Sequence, residues 1–434
     1  MTNRRRSNSS RSTGPSGSTG HRSSSSTSRR RSGSAAVPAQ SRREEGAGRR
    51  LTAVRPGEHS KRQRPPVRNS RPDFGLLFAM ASLIGIGLII IYSGSWTRTY
   101  LGFGDQFYYL RRQMLWVGVG LVGLTVAANF PYWRLRPLAY PILAVSLLLL
   151  LVVLVPGVGY GPSETKRWIN VAGFNLQPSE FLKLGLTIFL ASLLSQPGRA
   201  RSLWRGVLPV VALTASVVVL IMLQPDLGTA FAVGGTVLAL LFLSGARVWQ
   251  LLLLIAAAAP ALLYAIFSAE YRARRFLAFL DPWADPLDTG FHIIQSLFSL
   301  GSGGLLGLGL GQGKQKYFYL PEQHTDFIFA VLGEELGFLG TVAVVLIFGF
   351  VAWRGYQVAL KAADPFGALL AAGLTSMIVL QAIINVGVVT ASLPVTGIPL
   401  PFISFGGSSL LFSMTAVGLI INVSRHQATG RRAG

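Results

Sequence analysis

Beyond Asp73 the chain is a succession of apolar runs separated by short polar stretches, and this pattern narrows the possible folds more than any other feature. A helix needs about 20 predominantly apolar residues to cross a bilayer. Ten such runs are legible, near residues 74–95, 113–130, 137–156, 178–195, 207–223, 227–244, 247–267, 326–353, 366–390 and 402–423. In hydrocarbon the backbone must satisfy its own polar groups, and runs of this length do so as helices. Only 13% of the residues are charged, against about 25% in soluble domains. The expected fold is an all-α polytopic membrane protein of about ten transmembrane helices, with a large extracytoplasmic loop and a disordered basic N-terminal tail.

Lys and Arg collect on the cytoplasmic side of membrane proteins. With ten spans, the N-terminal tail, Arg134, Arg136, Arg199, Arg201, Arg205, Arg247, Arg354, Lys361, Arg425, Arg431 and Arg432 all fall on one side. Both termini are then cytoplasmic. Three connections stand out on the opposite face: 157–177, the tight turn Gln224-Pro225-Asp226, and 268–325. The expected division is a tail over 1–73, a membrane domain over 74–425 and a short cytoplasmic end over 426–434.

The net charge of +23 invites a nucleic-acid reading until it is located. The first 72 residues hold 18 Lys/Arg against the three acids Glu44, Glu45 and Glu58, so most of the excess belongs to the tail. The tail is rich in Arg, Ser, Gly and Pro, and buries too little apolar surface to offset the entropy of ordering. It has no short apolar core before a small-residue cleavage site, so it does not read as a cleaved signal peptide. Two uses remain: a solvated extension drawn to anionic lipid head groups, or a docking arm for a partner or nucleic acid. The absence of cysteine excludes disulfides and thiolate metal sites.

The 268–325 connection is long and polar for so hydrophobic a chain, which marks it as functional. It places Asp281, Asp285 and Asp288 within eight residues, with Pro282 and Pro286 restricting the backbone. A rigidly held carboxylate of this kind suits a general base or a cation ligand; a repeated Asp-Pro turn explains it equally well. The glycines at 301, 303, 304, 307, 309, 311 and 313 follow. No strand–loop–helix context accompanies them, which rejects a dinucleotide fingerprint and leaves close helix packing or a re-entrant backbone. Glu334 and Glu335 then fall inside an apolar span, where ionisable groups are costly; they are functional candidates or packing hydrogen-bonders.

Two outward helix starts look alike, Gln177-Pro178-Ser179-Glu180 and Gln224-Pro225-Asp226. Pro at the first helical position and an acid in the first turn are explained by the helix dipole alone. Lys183 is not so explained: three residues after Glu180, it shares that helix face and is directed at the outer leaflet. With Arg167, Arg111 and Arg112 it forms an outward cationic set of the kind a membrane-bound pyrophosphate needs.

These residues resemble the SEDS family (shape, elongation, division and sporulation) of polytopic peptidoglycan glycosyltransferases. The resemblance runs from about Phe78 to Arg425. It rests on Gln177-Pro178-Ser179-Glu180-Phe181, Gln224-Pro225-Asp226-Leu227-Gly228-Thr229, the 281–295 stretch, the 319–327 stretch, Gly397-Ile398-Pro399-Leu400-Pro401-Phe402 and Ser404-Phe405-Gly406-Gly407-Ser408-Ser409. The 279–291 stretch is most like the division and sporulation branch, the FtsW type, more than the RodA type. Phe405 stands where Tyr is more usual.

The resemblance implies an enzyme that polymerises the lipid-linked disaccharide-peptide lipid II into β-1,4-linked glycan on the outer face of the bacterial cytoplasmic membrane, for septal wall synthesis. It makes Asp285 the catalytic base, and Arg112, Arg167, Glu180, Lys183, Asp226 and His324 the substrate-binding set. Within that set Arg112, Arg167 and Lys183 clamp the pyrophosphate and Glu180 orients Lys183. A divalent cation, Mg or Mn, is the one cofactor the reading allows, with no metal ligands assigned. The implied partners are a class B penicillin-binding transpeptidase, other division proteins and membrane lipids, not nucleic acid. The rival reading is a transporter (flippase) for the lipid-linked precursor, resting on Glu334, Glu335 and the ten-span architecture.

Overall fold

The computed structural model describes residues 71–103, 105–161, 165–171, 173–314 and 324–427. The expected tail up to residue 70, the 319–323 part of the fourth motif and residues 428–434 lie outside the described residues.

The described chain folds into α1 (Phe74–Phe103), α2 (Tyr108–Asn129), α3 (Leu135–Val152), α4 (Pro178–Leu194), α5 (Leu208–Met222), α6 (Leu227–Leu243), α7 (Val248–Phe267), α8 (Glu270–Leu280), α9 (Phe291–Gly303), α10 (Ile328–Lys361), α11 (Pro365–Val389) and α12 (Gly407–Ser424). Each of the ten expected apolar runs overlaps one of these helices, with α1 and α10 extending eight residues past the expected ends and α2 beginning five residues early. Among the described residues, α1, α7, α10, α11 and α12, together with α3 and α5 when the helical turns leading into them are counted (Tyr132–Val152 and Leu203–Met222), are long and apolar enough to cross a membrane by length and composition. The helices α4 and α6 have 17 residues each. Their length of about 26 Å falls short of a hydrocarbon core of about 30 Å. The α2 run is diluted by Arg111, Arg112 and Gln113.

At the centre stand α4 and α11. Every residue of α4 except Phe181 is buried, against α3, α6, α11 and α12. Apolar burial drives no association between helices in lipid, so close approach through small residues carries the packing. Gly185 accordingly lies against Ser146, and Gly373 against Leu240 and Thr187. By contrast α7 is mostly exposed, and its main contacts are with α6 and α8. In the 157–177 connection, β1 (Gly159–Tyr160), β2 (Trp168–Val171) and β3 (Phe174–Leu176) form a small antiparallel sheet in that order, with Ile169 opposite both Gly159 and Leu176.

The 268–325 connection is not a plain loop. It holds α8, which is amphipathic and too short to span, and α9. Serines pin α9 to the bundle: Ser296 Oγ donates to Val389 O at 2.7 Å and Ser299 Oγ to Ala330 O at 2.9 Å.

The run expected over 326–353 is a helix broken at Gly337, whose φ is 69°. The glycine-rich segment after α9 supplies the missing backbone bonds. Phe338 N donates to Gly304 O (2.9 Å) and Leu339 N to Leu305 O (3.1 Å), while Leu308 N and Gly309 N donate to Glu334 O (2.9 Å) and Glu335 O (3.1 Å). This is the re-entrant backbone the glycine spacing allows, with freed helix groups satisfied by protein rather than lipid. Both chains need glycine at the crossing: a Cβ on Gly307 would stand 2.2 Å from Glu335 O, and one on Gly337 would stand 2.2 Å from Gly307 N.

The two buried carboxylates serve the same junction. Ser93 Oγ donates to the Glu335 carboxylate at 2.6 Å and accepts from Gly311 N at 2.9 Å, and Lys314 N donates to Glu334 Oε1 at 2.8 Å. At the opposite end of the bundle Asp73, just before α1, accepts from Leu76 N (3.1 Å) and pairs with Arg354 of α10 (2.7 Å). Its own N–H donates to Ser424 Oγ of α12 at 3.2 Å.

Candidate active site

Sequence motifs separated by more than two hundred residues meet at one end of the bundle, at the start of α4, α6 and α12 and the end of α11. Gln177 N donates to Ser408 Oγ, which donates to Asn175 O, each at 3.0 Å. On α11, Asn385 Nδ2 donates to Asp326 O (2.8 Å) and Ile398 O (2.7 Å). One turn before it, Gln381 Nε2 donates to Pro399 O (3.0 Å) and Ser409 Oγ (3.3 Å). Ser404 Oγ reaches Thr325 O at 2.6 Å, and the Ser404 carbonyl accepts from Gln113 Nε2 of α2 at 3.2 Å. Irregular backbone among apolar helices is tolerated where side chains satisfy it, and these polar residues do so here.

Glu180 and Lys183 are both buried. The Lys183 ammonium lies 2.8 Å from Glu180 Oε1 on its own helix and 2.6 Å from Gln381 Oε1 on α11. It therefore points into the bundle and not out toward the leaflet. Removing one member of such a buried pair strands the other charge, at about 3–5 kcal/mol. Asp226 is the N-cap of α6: Oδ1 accepts from Thr229 N (3.1 Å) and Oδ2 from Thr229 Oγ1 (2.8 Å). Arg167 holds the turn before it, donating from Nε to Gln224 O at 3.0 Å and from Nη2 to Pro225 O.

Arg112 and His324 lie on the α2 side. Arg112 Nη1 donates to Tyr108 OH at 2.8 Å. Burial raises the Tyr160 phenol above its ordinary pKa, while Asn170 and the Arg112 charge pull it back down. The buried His324 ring packs 4.5 Å from Tyr109 and 5.9 Å from Phe405, centroid to centroid. Phe405 thus fills an aromatic position between α2 and the 324–327 segment.

An open cleft lies at this end of the bundle, lined by Arg167, Arg272 and Arg275 together with apolar side chains including Phe231, Phe276 and Ile384. It joins cations to an apolar wall. Arg272 and Arg275 escape a reading by charge alone, because the connection carries many charges. Their signal is helical spacing: three apart on α8, beside Tyr271 and Phe276, they share one face.

Asp285 lies in the exposed turn between α8 and α9, where Oδ2 accepts from Thr289 N (3.3 Å) and Thr289 Oγ1 (3.0 Å). The Thr289 N–H, then its hydroxyl, hold the carboxyl below the usual carboxylate range, with Arg274 adding in the same direction. Its neighbour Asp281 turns inward on its own backbone, accepting from Trp283 N at 3.1 Å. No group of three or more His, Cys, Asp or Glu able to hold a metal occurs among the described residues. The expected set is thus layered: Asp285 in the outer turn, Arg167 in the cleft, Glu180 and Lys183 buried within the bundle, Arg112 and His324 on the α2 side. Sequence reading passed over Gln113, Gln381 and Asn385, whose signal is an amide in an otherwise apolar helix.

Residues 74–429 match the family described as cell cycle protein, the FtsW, RodA and SpoVE family. The chain is 44% identical over 361 residues to stage V sporulation protein E of Bacillus subtilis, covering 83% of this chain and 99% of that protein. It is 43% identical over 355 residues to a probable peptidoglycan glycosyltransferase FtsW of Geobacter metallireducens, covering 82% and 95%. Among solved structures it resembles a chain from a peptidoglycan synthase complex that coordinates polymerization and crosslinking, with TM-score 0.68, 34% identity and coverage of 82% and 98%. It also resembles the rod shape determining protein RodA of Thermus thermophilus, with TM-score 0.62, 31% identity and coverage of 83% and 98%.

Proposed function

The chain belongs to the FtsW, RodA and SpoVE family and is a peptidoglycan glycosyltransferase of the membrane, and we propose that it polymerises lipid II on the outer face during septal wall synthesis. The observation that carries this reading is the cleft where Arg167, Arg272 and Arg275 adjoin an apolar wall. A lipid pyrophosphate presents the matching chemistry, two phosphates on an apolar chain that cannot leave the bilayer.

In the proposed step the acceptor sugar hydroxyl attacks the anomeric carbon of the donor as the bond from that carbon to the pyrophosphate oxygen breaks. The hydroxyl proton passes to Asp285, and the electron pair leaves on the lipid pyrophosphate. Attack opposite the leaving group inverts the centre and gives the β linkage. The three arginines bind the pyrophosphate and stabilise the charge it gains on departure. Asp285, on the turn between α8 and α9, approaches from the water side. Arg112, Asp226 and His324 belong to the binding surface, Asp226 by holding the start of α6 against Arg167's turn. The transporter reading rests on Glu334 and Glu335, and their bonds to Ser93 and to Lys314 N account for both without a translocation path.

For the partner we propose a class B penicillin-binding transpeptidase, supported by the synthase complex to which a solved relative belongs. Purified protein supplied with lipid II is expected to form glycan polymer, and Asp285→Ala to reduce the rate at least a hundredfold with the fold intact. Polymerisation by Asp285→Ala at the unaltered rate would remove Asp285 as the base.

A further inference from the structure

Gln381 sits where two networks meet. Lys183 is 4% exposed and offers only donors, so the oxygen of the Gln381 carboxamide must face it, as the 2.6 Å contact shows. The nitrogen then faces the other way, onto Pro399 O at 3.0 Å and Ser409 Oγ at 3.3 Å. Glu180, the second partner of the ammonium, belongs to the same helix as Lys183 and ties it only to α4. Gln381 ties it to α11 and to the 397–409 segment.

The position in depth matters too. Ile384, which lines the arginine cleft, follows Gln381 by three residues, about 4.5 Å of helix rise. The Lys183–Gln381 contact therefore lies about one turn beneath the cleft. Lys183 also lines a narrower crevice of about 200 Å³ with Thr187 of α4 and Thr236 of α6.

We propose that Gln381 is a positioning residue: its carboxamide fixes the Lys183 ammonium under the cleft and makes that position depend on the 397–409 segment. This rests on the reading of the site as one for a lipid pyrophosphate. The requirement is for an amide. A carboxylate at 381 would set acceptor against acceptor at Pro399 O and add a second negative charge beside Lys183. A thioether of the same length would lose all three bonds. Asn385, one turn further on α11, also holds this segment through Ile398 O but is bonded to Asp326 O in place of Lys183, and so separates loop anchoring from positioning of the ammonium.

The test uses the full chain in lipid nanodiscs with two readouts: equilibrium binding of a polyprenyl pyrophosphate alone, and initial rates of lipid II polymerisation. Gln381→Glu is expected to weaken pyrophosphate binding at least fivefold and to raise KM in proportion, because the added carboxylate cancels the positive field that the ammonium sets up beneath the cleft. Gln381→Met is expected to lower kcat at least tenfold with KM changed less than threefold. The double variant Glu180→Gln with Gln381→Glu restores a single carboxylate beside Lys183 and is expected to recover pyrophosphate binding to within twofold. Asn385→Ser is expected to lower thermal stability while leaving pyrophosphate binding unchanged.

The proposal is overturned if Gln381→Glu binds pyrophosphate as the unaltered chain does, or if Asn385→Ser weakens binding as much as Gln381→Glu. Should Gln381→Met not fold, the charge-swapped pair still decides. If the unaltered chain binds pyrophosphate without polymerising, the glycosyltransferase reading fails and the binding arm still judges Gln381; if it binds none, both fall.

Discussion

Asp285 is kept ionised by its own turn. The backbone N–H and the hydroxyl of Thr289 both favour the carboxylate, so its pKa lies below the ordinary value of about 3.9. A group with a depressed pKa stays charged until the pH falls through that lowered value, so the acid limb of kcat/KM set by Asp285 lies below the usual carboxylate range. Such a group is a weak base in the free enzyme. Covering it with sugar removes water, which raises its pKa and strengthens it as a base when the acceptor is in place. Thr289→Val deletes the hydroxyl bond and is expected to move the acid limb to higher pH, while Thr289→Ser leaves it in place. A pH–rate profile unmoved by Thr289→Val would detach this limb from Asp285.

The broken helix α10 shows how an element can be specified by a distant one. At Gly337 the backbone has a φ of 69°, and a Cβ there would stand 2.2 Å from Gly307 N. Gly337→Ala is expected to cost about 1–3 kcal/mol, read as a lowered unfolding temperature, and to expose the 304–314 backbone to faster hydrogen exchange. Gly301→Ala, with open space around its Cβ, is expected to do neither; equal effects from both would remove the crossing as the cause. The density of glycine after residue 300 made a re-entrant or closely packed backbone legible in advance, as apolar length did for the long helices. The break at Gly337 was not legible, because one glycine in a long apolar run reads as a tolerated helix residue. Likewise α8 and α9 were hidden in a connection judged by its charges, when the 3.6-residue spacing of Tyr271, Arg272, Arg275 and Phe276 was the informative property. The pairing of Glu180 with Lys183 followed from a spacing of three. The third member, Gln381, lies 198 residues away, and no local period reaches it.

For the molecule as a whole, basicity divides into a tail rich in Arg and a membrane domain in which Arg167, Arg272 and Arg275 are grouped at one cleft. The tail composition gives an electrostatic expectation. A peptide of residues 1–72 should bind vesicles containing phosphatidylglycerol, ignore neutral vesicles and be released as salt shortens the screening length. Co-sedimentation measures this, and equal binding to neutral vesicles would replace lipid attraction with another use of the tail. Where that tail reaches the bundle, Asp73 is fastened to α10 through Arg354 and to α12 through Ser424. In mechanical terms this is a mooring. Tension arriving at Asp73 is shared among three helices at that end of the bundle instead of peeling α1 away, and the cleft at the far end keeps its shape.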